Sequence, residues 1–214
     1  MTEINGKRLL AELKELGKIG IGTDGRRTRL AASDTEKEGR DYVVGKMKEA
    51  GLKIVIDHIG NIFGIWDSEE NKNIQPFMVG SHIDTVINAG QYDGCLGVLS
   101  GLEVIRTLKE QGIRTKRPII VGAFTNEEGV RYAPDMMGSL VYAGGLSCKK
   151  ALATVGTDGT ILGDELKRIG YEGTIAPGFV TLQHSLSYML NRVPSWMLKA
   201  MTSVLSIICK AFTG

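Results

Sequence analysis

Between Phe179 and Gly214 the chain has no aspartate and no glutamate, although 24 acidic residues precede that stretch. Its closing run, YMLNRVPSWMLKAMTSVLSIICKAFTG from Tyr188, keeps arginine and lysine with nothing to offset them. Three origins would explain such a tail: a membrane-binding helix, a partner-binding segment, or translation out of the selected reading frame. Cysteine is scarce as well. Cys95, Cys148 and Cys209 are odd in number and far apart. That excludes a disulfide framework and predicts a reducing, cytoplasmic setting. No apolar run reaches the roughly 18 residues of a membrane span, so no spanning helix is predicted. The N-terminus lacks the apolar core of a secretory signal. The net charge of +2 is small and unclustered, which excludes a nucleic-acid footprint.

What is present reads as globular. A hydrophobic share of 43% can build a core. The 214 residues allow one domain or one and a half, at about 100–200 residues each. GKRLLAELKEL repeats leucine at helical spacing. SDTEKEGRDYVVGKMKEAGL opens on Ser33 as N-cap, places Glu36 three residues on, and stops at Gly51. KIVIDHI and NIFGIW are short β-rich runs joined by Gly-Asn, which predicts a hairpin-like pair. PFMVGSHID and RPIIVGAFTNEEG read as buried strands, and GCLGVLSGLEVIRTLKEQG between them as a long helix. DGTILGDELKRIGYEG predicts one more helix, with Asp158 or Gly159 near its start. Helix, strands, helix, strand is the order of a layered α/β domain.

Three clusters of chemistry sit at comparable points. GSHIDT ends one apolar run, GQYDG precedes the long helix, and FTNEEG ends another apolar run. Ligands in α/β sheets bind beyond the carboxyl ends of strands. His82, Asp84, Asp93, Glu127 and Glu128 are thereby expected at one edge. Gathered carboxylates repel one another, and a divalent cation removes that cost. Imidazole and carboxylate suit Zn²⁺, at about 2.0–2.2 Å from the ion. A single carboxylate such as Asp93 can bridge two ions roughly 3.5–4 Å apart. His82 and Asp84, two apart on a strand, point the same way, so Asp84 is expected to accept the second ring N–H of His82. Of two adjacent glutamates, one can bind metal while the other holds the proton of an attacking water. Singly, each group has a plainer reading. A strand-end histidine is usually a polar terminus, an aspartate before glycine a turn residue, and Glu-Glu a solvated loop. Their order in one chain is the stronger signal. His58 falls outside these clusters and reads as a strand-end polar residue.

The string GSHIDTV…GQYDGCLGVLSGLEVIRTL…AFTNEEGVRY resembles the two-zinc amidohydrolases related to zinc aminoacylases and carboxypeptidases. Within them it is similar to the branch of N-carbamoyl-L-amino acid hydrolases, β-ureidopropionases and allantoate amidohydrolases. The resemblance covers the chain from near its start to about Gly178. It implies the N-terminal part of a zinc-aminopeptidase-like catalytic domain, a mixed sheet with helices on both faces, without the lid domain. It implies two divalent ions per site in the intact family, Zn²⁺ or Mn²⁺, Co²⁺ or Ni²⁺. His82 would bind one, Asp93 would bridge, and Glu128 would bind the other. Glu127 would be the general base and Asp84 the partner of His82. It also implies a small carbamoyl or ureido substrate and a homodimer. MGSLVYAGGL departs from the family's Gly-Ser-Arg by placing Leu140 at the arginine. Two other readings stand beside this one: a non-catalytic remnant of a damaged gene, and a peptidase of the wider superfamily, against which the QYDGCLGV and TNEEGVRY contexts count.

The resemblance also accounts for the tail. The family continues roughly as ELHIEQGPVLE, where this chain has SYMLNRVPSWMLKAM. Tyr188 to Trp196 can be coded TAC ATG TTG AAC AGG GTC CCG TCC TGG. Read one base earlier after a T, this becomes TTA CAT GTT GAA CAG GGT CCC GTC CTG G, which translates as LHVEQGPVL. Allowed codons continue it as DAEGNDIGVVNNLQGIYG, and the carboxylates return. The histidine is permitted rather than forced, because TAT for Tyr188 would give tyrosine. The sequence therefore divides into a partial metallohydrolase domain, 1–178, and an out-of-frame tail, 179–214, in which His184 is not expected to be a ligand.

Overall fold

The computed structural model describes residues 4–180 and the backbone of 184–187. Among them are helices α1 (Gly6–Lys18), α2 (Asp34–Glu49), α3 (Cys95–Glu110), α4 (Met137–Tyr142), α5 (Cys148–Leu152) and α6 (Leu162–Arg168). The strands are β1 (Lys53–Ile56), β2 (Ile62–Trp66), β3 (Phe77–His82), β4 (Ile119–Phe124) and β5 (His184–Ser187). They form a mixed sheet in the order β1-β2-β4-β3-β5. β1 pairs antiparallel with β2 and β2 with β4, whereas β3 runs parallel to both β4 and β5.

Strand alternation sorts the sheet's two faces. Ile119, Val121 and Ala123 of β4 join Ile62 and Val79 in the main core, beneath α1, α2 and α3. On the other face lie Phe63, Met78 and Ile120, packed against Phe124, Tyr142 of α4, and Phe179. Phe179 packs edge-on against Tyr142 and Phe63, and Tyr142 lies tilted at 45° against Phe63, with centroids 5.3–6.2 Å apart. The α3 helix is buried along most of its length, which is why its sequence is apolar nearly all round. Gly80 lets β3 approach β4, and Gly101 lets α3 close on the sheet. A Cβ at Gly80 would stand 2.0 Å from the Gly122 carbonyl oxygen, and one at Gly101 would stand 2.8 Å from Val79.

Several expectations meet small differences. Ser33 caps α2 by accepting from the Glu36 N–H at 3.2 Å, as its position predicts. Glu36 does not complete the reciprocal cap on Ser33. Its carboxylate accepts from the Ala32 N–H and pairs with Arg40 at 2.9 Å, because both side chains are buried. Asp158 and Gly159 do not start α6. They form a turn, and the helix opens at Leu162 behind Ile161. The helices α4 and α5 carry too few residues to show a period, and the sequence reading left them out. β5 lies inside the segment assigned to the tail, so the sheet runs on past residue 178. No helix among the described residues is long and apolar enough to cross a membrane.

Candidate metal centre

β3 and β4 are parallel neighbours, with His82 paired in register to Phe124. Both strands therefore end at the same edge. His82 is the last residue of β3, Asp84 lies two beyond, and Glu127 and Glu128 follow β4 by three and four positions. Asp93 arrives from the other direction, one residue before Gly94, the N-cap of α3. Gly94 has φ of +65°, and a Cβ there would meet the His82 ring and carbonyl at 2.5 Å. Only glycine lets the Asp93 turn close over the imidazole.

Ligand atoms of His82, Asp93 and Glu128 all lie within 4.8 Å of one another. Nε2 of His82 is 3.9 Å from Asp93 Oδ1 and 3.3 Å from Glu127 Oε2. Its Nδ1 lies 3.0 Å from the Asp84 main-chain carbonyl. That differs from the expected partner, the Asp84 carboxylate, whose nearer oxygen is 3.7 Å away. β3 has ended by then, so the two side chains no longer share a strand face. The carboxylate instead accepts the N–H of Glu127 at 3.2 Å on one oxygen and of Glu128 at 3.1 Å on the other. Asp84 thus ties the loop after β4 to the end of β3.

The charges show why this edge suits a cation. Burial pushes the Glu127 and Glu128 carboxyls above their usual range; His82 opposes this, and neighbouring Asp84 and Asp93 add to it. Burial works against protonation of His82, but Asp84 and Glu127 outweigh it and raise the imidazole. Oε1 of Glu128 is buried and accepts no hydrogen bond from the described residues. An orphaned carboxylate oxygen beside an imidazole and a second carboxylate is the donor set that a hard or borderline divalent ion satisfies. The residues present fit such an ion.

Residues that the sequence reading passed over hold this edge in place. The Asn61 carboxamide accepts the Thr125 N–H at 2.9 Å and donates to the Gly138 carbonyl at 3.0 Å and to Asp57 at 2.9 Å. Buried Arg40 donates to the Gly60 carbonyl at 2.6 Å and to Thr125 Oγ1 at 3.1 Å, and lies 5.1 Å from the Tyr171 ring centre. Buried Arg29 binds the carbonyl of Ile83 at 2.7 Å and the thiol of Cys95 at 3.1 Å. The local signal is confined to Gly60-Asn61, the joint between the two β-rich runs, which predicts a turn and not a buried carboxamide. His58 follows β1 and donates its main-chain N–H to Ile175 at 2.8 Å, away from the donor cluster. The register sets residue 184 beside Phe77, at the opposite end of β3 from His82. Leu140 sits half-buried in α4.

A mixed sheet that gathers imidazole and carboxylates beyond two parallel strands is a scaffold that can hold a divalent ion. The sequence profile of peptidase family M28 matches residues 61–197, and the chain belongs to that family. It is 40% identical over 191 residues to an N-carbamoyl-L-amino-acid amidohydrolase of Rhizobium meliloti, covering 89% of this chain and 46% of the relative. It is 36% identical over 156 residues to a ureidoglycolate hydrolase of Arabidopsis thaliana, covering 73% and 33%. The crystal structure of a hydantoinase/carbamoylase family amidase from Burkholderia ambifaria superposes with a TM-score of 0.86 at 36% identity, over 94% of this chain and 49% of that one. The chain spans about half the length of such relatives.

Proposed function

We propose that this chain carries part of the catalytic centre of a hydrolase of linear carbamoyl or ureido C–N bonds. The observation that carries the reading is the grouping of His82, Asp93 and Glu128, whose ligand atoms lie within 4.8 Å of one another, with one Glu128 carboxylate oxygen, Oε1, buried and accepting no hydrogen bond from the described residues. The names of the relatives supply the substrate class. His82, Asp93 and Glu128 would hold divalent metal. Metal there supplies Lewis acidity toward the substrate carbonyl and acidifies water. Glu127, half-buried beside His82, takes the proton of the attacking water on Oε2 and returns it to the leaving nitrogen as the C–N bond breaks. Burial raises the pKa of its carboxyl, which favours its taking up a proton. Asp84 keeps Glu127 and Glu128 in register through their main-chain N–H groups. Two free thiols, Cys95 and Cys148, support a cytoplasmic setting, and the homodimer of the intact family is part of the same reading.

The proposal extends to the tail. β5 pairs with β3 through Ser187, and the recovered LHVEQGPVL begins at the junction of Ser187 and Tyr188. We place the change of frame after β5, because the strand pairing supports a selected sequence up to Ser187, beyond the boundary expected near residue 178. By this reading an out-of-frame tail supplies no histidine ligand, and the 214 residues by themselves are expected not to turn over N-carbamoyl amino acids. Metal titration of the chain should show at most one weakly held ion, abolished in His82→Ala. Two tightly held ions per chain would overturn the reading. With the frame restored and the downstream sequence included, N-carbamoyl amino acids should be hydrolysed. There Glu127→Gln should lose turnover and keep its metal, and normal turnover would remove Glu127 as the base.

A further inference from the structure

Asn126 lies between the end of β4 and the two glutamates. It is fully buried, yet its φ is +51°, in the left-handed region. Left-handed backbone costs an L-residue about 1–2 kcal/mol, and asparagine tolerates it best after glycine. Its carboxamide nitrogen donates to the Tyr132 carbonyl at 2.7 Å and to the Pro134 carbonyl at 3.2 Å. Around it the main chain closes a loop. Met136 N–H binds the Glu127 carbonyl at 2.7 Å, Met137 that of Asn126 at 3.2 Å, and Gly138 that of Thr125 at 2.8 Å. Residues 125–127 are thus laced to 136–138, and the Asn126 side chain spans the interior between them.

The left-handed turn has a consequence for the glutamates. In extended backbone, successive N–H groups point to opposite sides. Here the N–H groups of Glu127 and Glu128 converge on the one carboxylate of Asp84, as in the anion-binding concavities formed where backbone handedness alternates. Asn126 is where the chain leaves strand geometry to allow that. We infer that Asn126 is a positioning residue. Its left-handed backbone aims the two N–H groups at Asp84, and its carboxamide locks the loop so that Glu127 and Glu128 face His82. This deepens the proposed metal site, but its geometry stands on the loop alone.

The test uses the 214-residue chain and compares Asn126→Ala, Asn126→Gly and Asn71→Ala. Asn71 is a buried asparagine that clips a remote loop by donating to the Thr115 carbonyl at 2.9 Å, and it controls for generic loss of a buried carboxamide. Hydrogen–deuterium exchange is followed by peptide on the metal-free chain. Residues 125–130 of Asn126→Ala should exchange faster by on the order of 10-fold or more, with α3 unchanged. Asn126→Gly keeps the backbone freedom and should show a smaller acceleration. Asn71→Ala should leave 125–130 as in the wild type. Co²⁺ titration should then show about 10–100-fold weaker binding in Asn126→Ala, with partial recovery in Asn126→Gly. Wild-type exchange at 125–130 in both Asn126 variants would overturn the inference, as would acceleration spread equally over every segment. A wild-type chain that binds no Co²⁺ would overturn the metal-site reading instead, and the exchange result alone would decide the role of Asn126.

Discussion

Asp57 accepts the N–H of Ile59 at 3.2 Å and of Asn61 at 2.9 Å, and it also holds the Asn61 carboxamide. Burial nonetheless pushes its pKa from 3.8 up to about 6, against the pull of those donors. The folded chain therefore holds this proton more tightly than the unfolded chain does. Its contribution to stability is fully present below pH 3.8 and is lost as pH rises to about 6. Denaturation of wild type and Asp57→Asn across pH 4–7 should show their difference changing by at most about 3 kcal/mol in that window. A constant difference would show that Asp57 titrates normally. Asp84 gives a second prediction. In Asp84→Asn one acceptor oxygen becomes an NH₂ facing a main-chain N–H. Co²⁺ affinity should fall by about 10–100-fold while the far-ultraviolet circular dichroism is kept. Unchanged affinity would show that the link between the two loops is not needed to place Glu128.

Gly94 and Gly112 flank α3 and share a left-handed φ, +65° and +64°. They differ in surroundings: a Cβ at Gly94 would strike the His82 ring and carbonyl, whereas none of the described atoms lies within 4 Å of one at Gly112. Gly112→Ala should cost about 1–2 kcal/mol of conformational strain. Gly94→Ala should cost more than that, because φ +65° with ψ −53° lies outside the regions open to an L-residue and the methyl adds about 1–3 kcal/mol of overpacking, and it should also lose metal. Equal midpoints of thermal unfolding for the two variants would refute the argument. The same elements show what could be read from sequence. The helices α1, α2 and α3 are legible because each has enough residues to display a period, and α2 also has the Ser33 cap. The β1–β2 pair and the buried β3 and β4 were legible from apolar content between turn residues. His82, Asp93, Glu127 and Glu128 were legible because strand ends and helix starts are local features. The partners that aim them were not. Asn61 meets Thr125, and Arg40 meets Gly60 and Thr125, only after the sheet has formed. The Asp84 contact differs from the expected one: its carbonyl rather than its carboxylate is nearest His82 Nδ1, because its carboxylate is taken by main-chain N–H groups of a loop distant in sequence. Asn126 carries no signal beyond the tolerance of asparagine for left-handed turns.

Across the whole chain, the boundary between sheet and tail can be located by cutting. A chain ending at Gly178 loses β5, which lies along Phe77–Gly80 of β3. A chain ending at Ser187 keeps it. If the frame changes after β5, the shorter chain should melt at lower temperature, and the Ser187 chain should melt with the 214-residue protein and be no less soluble. Lower stability of the Ser187 chain would show that the tail packs as a selected element. The nucleotide sequence at the Ser187–Tyr188 junction checks the same point directly. A lost base, or two gained, is expected there. The Asp84 carboxylate carries a last consequence. It grips the loop after β4 by peptide N–H groups, which every residue except proline possesses. The hold is therefore indifferent to which side chains stand at 127 and 128. Over generations those two positions are free to trade one reactive group for another without dismantling the edge that presents them, so a lineage built on this scaffold can change its chemistry while inheriting its geometry.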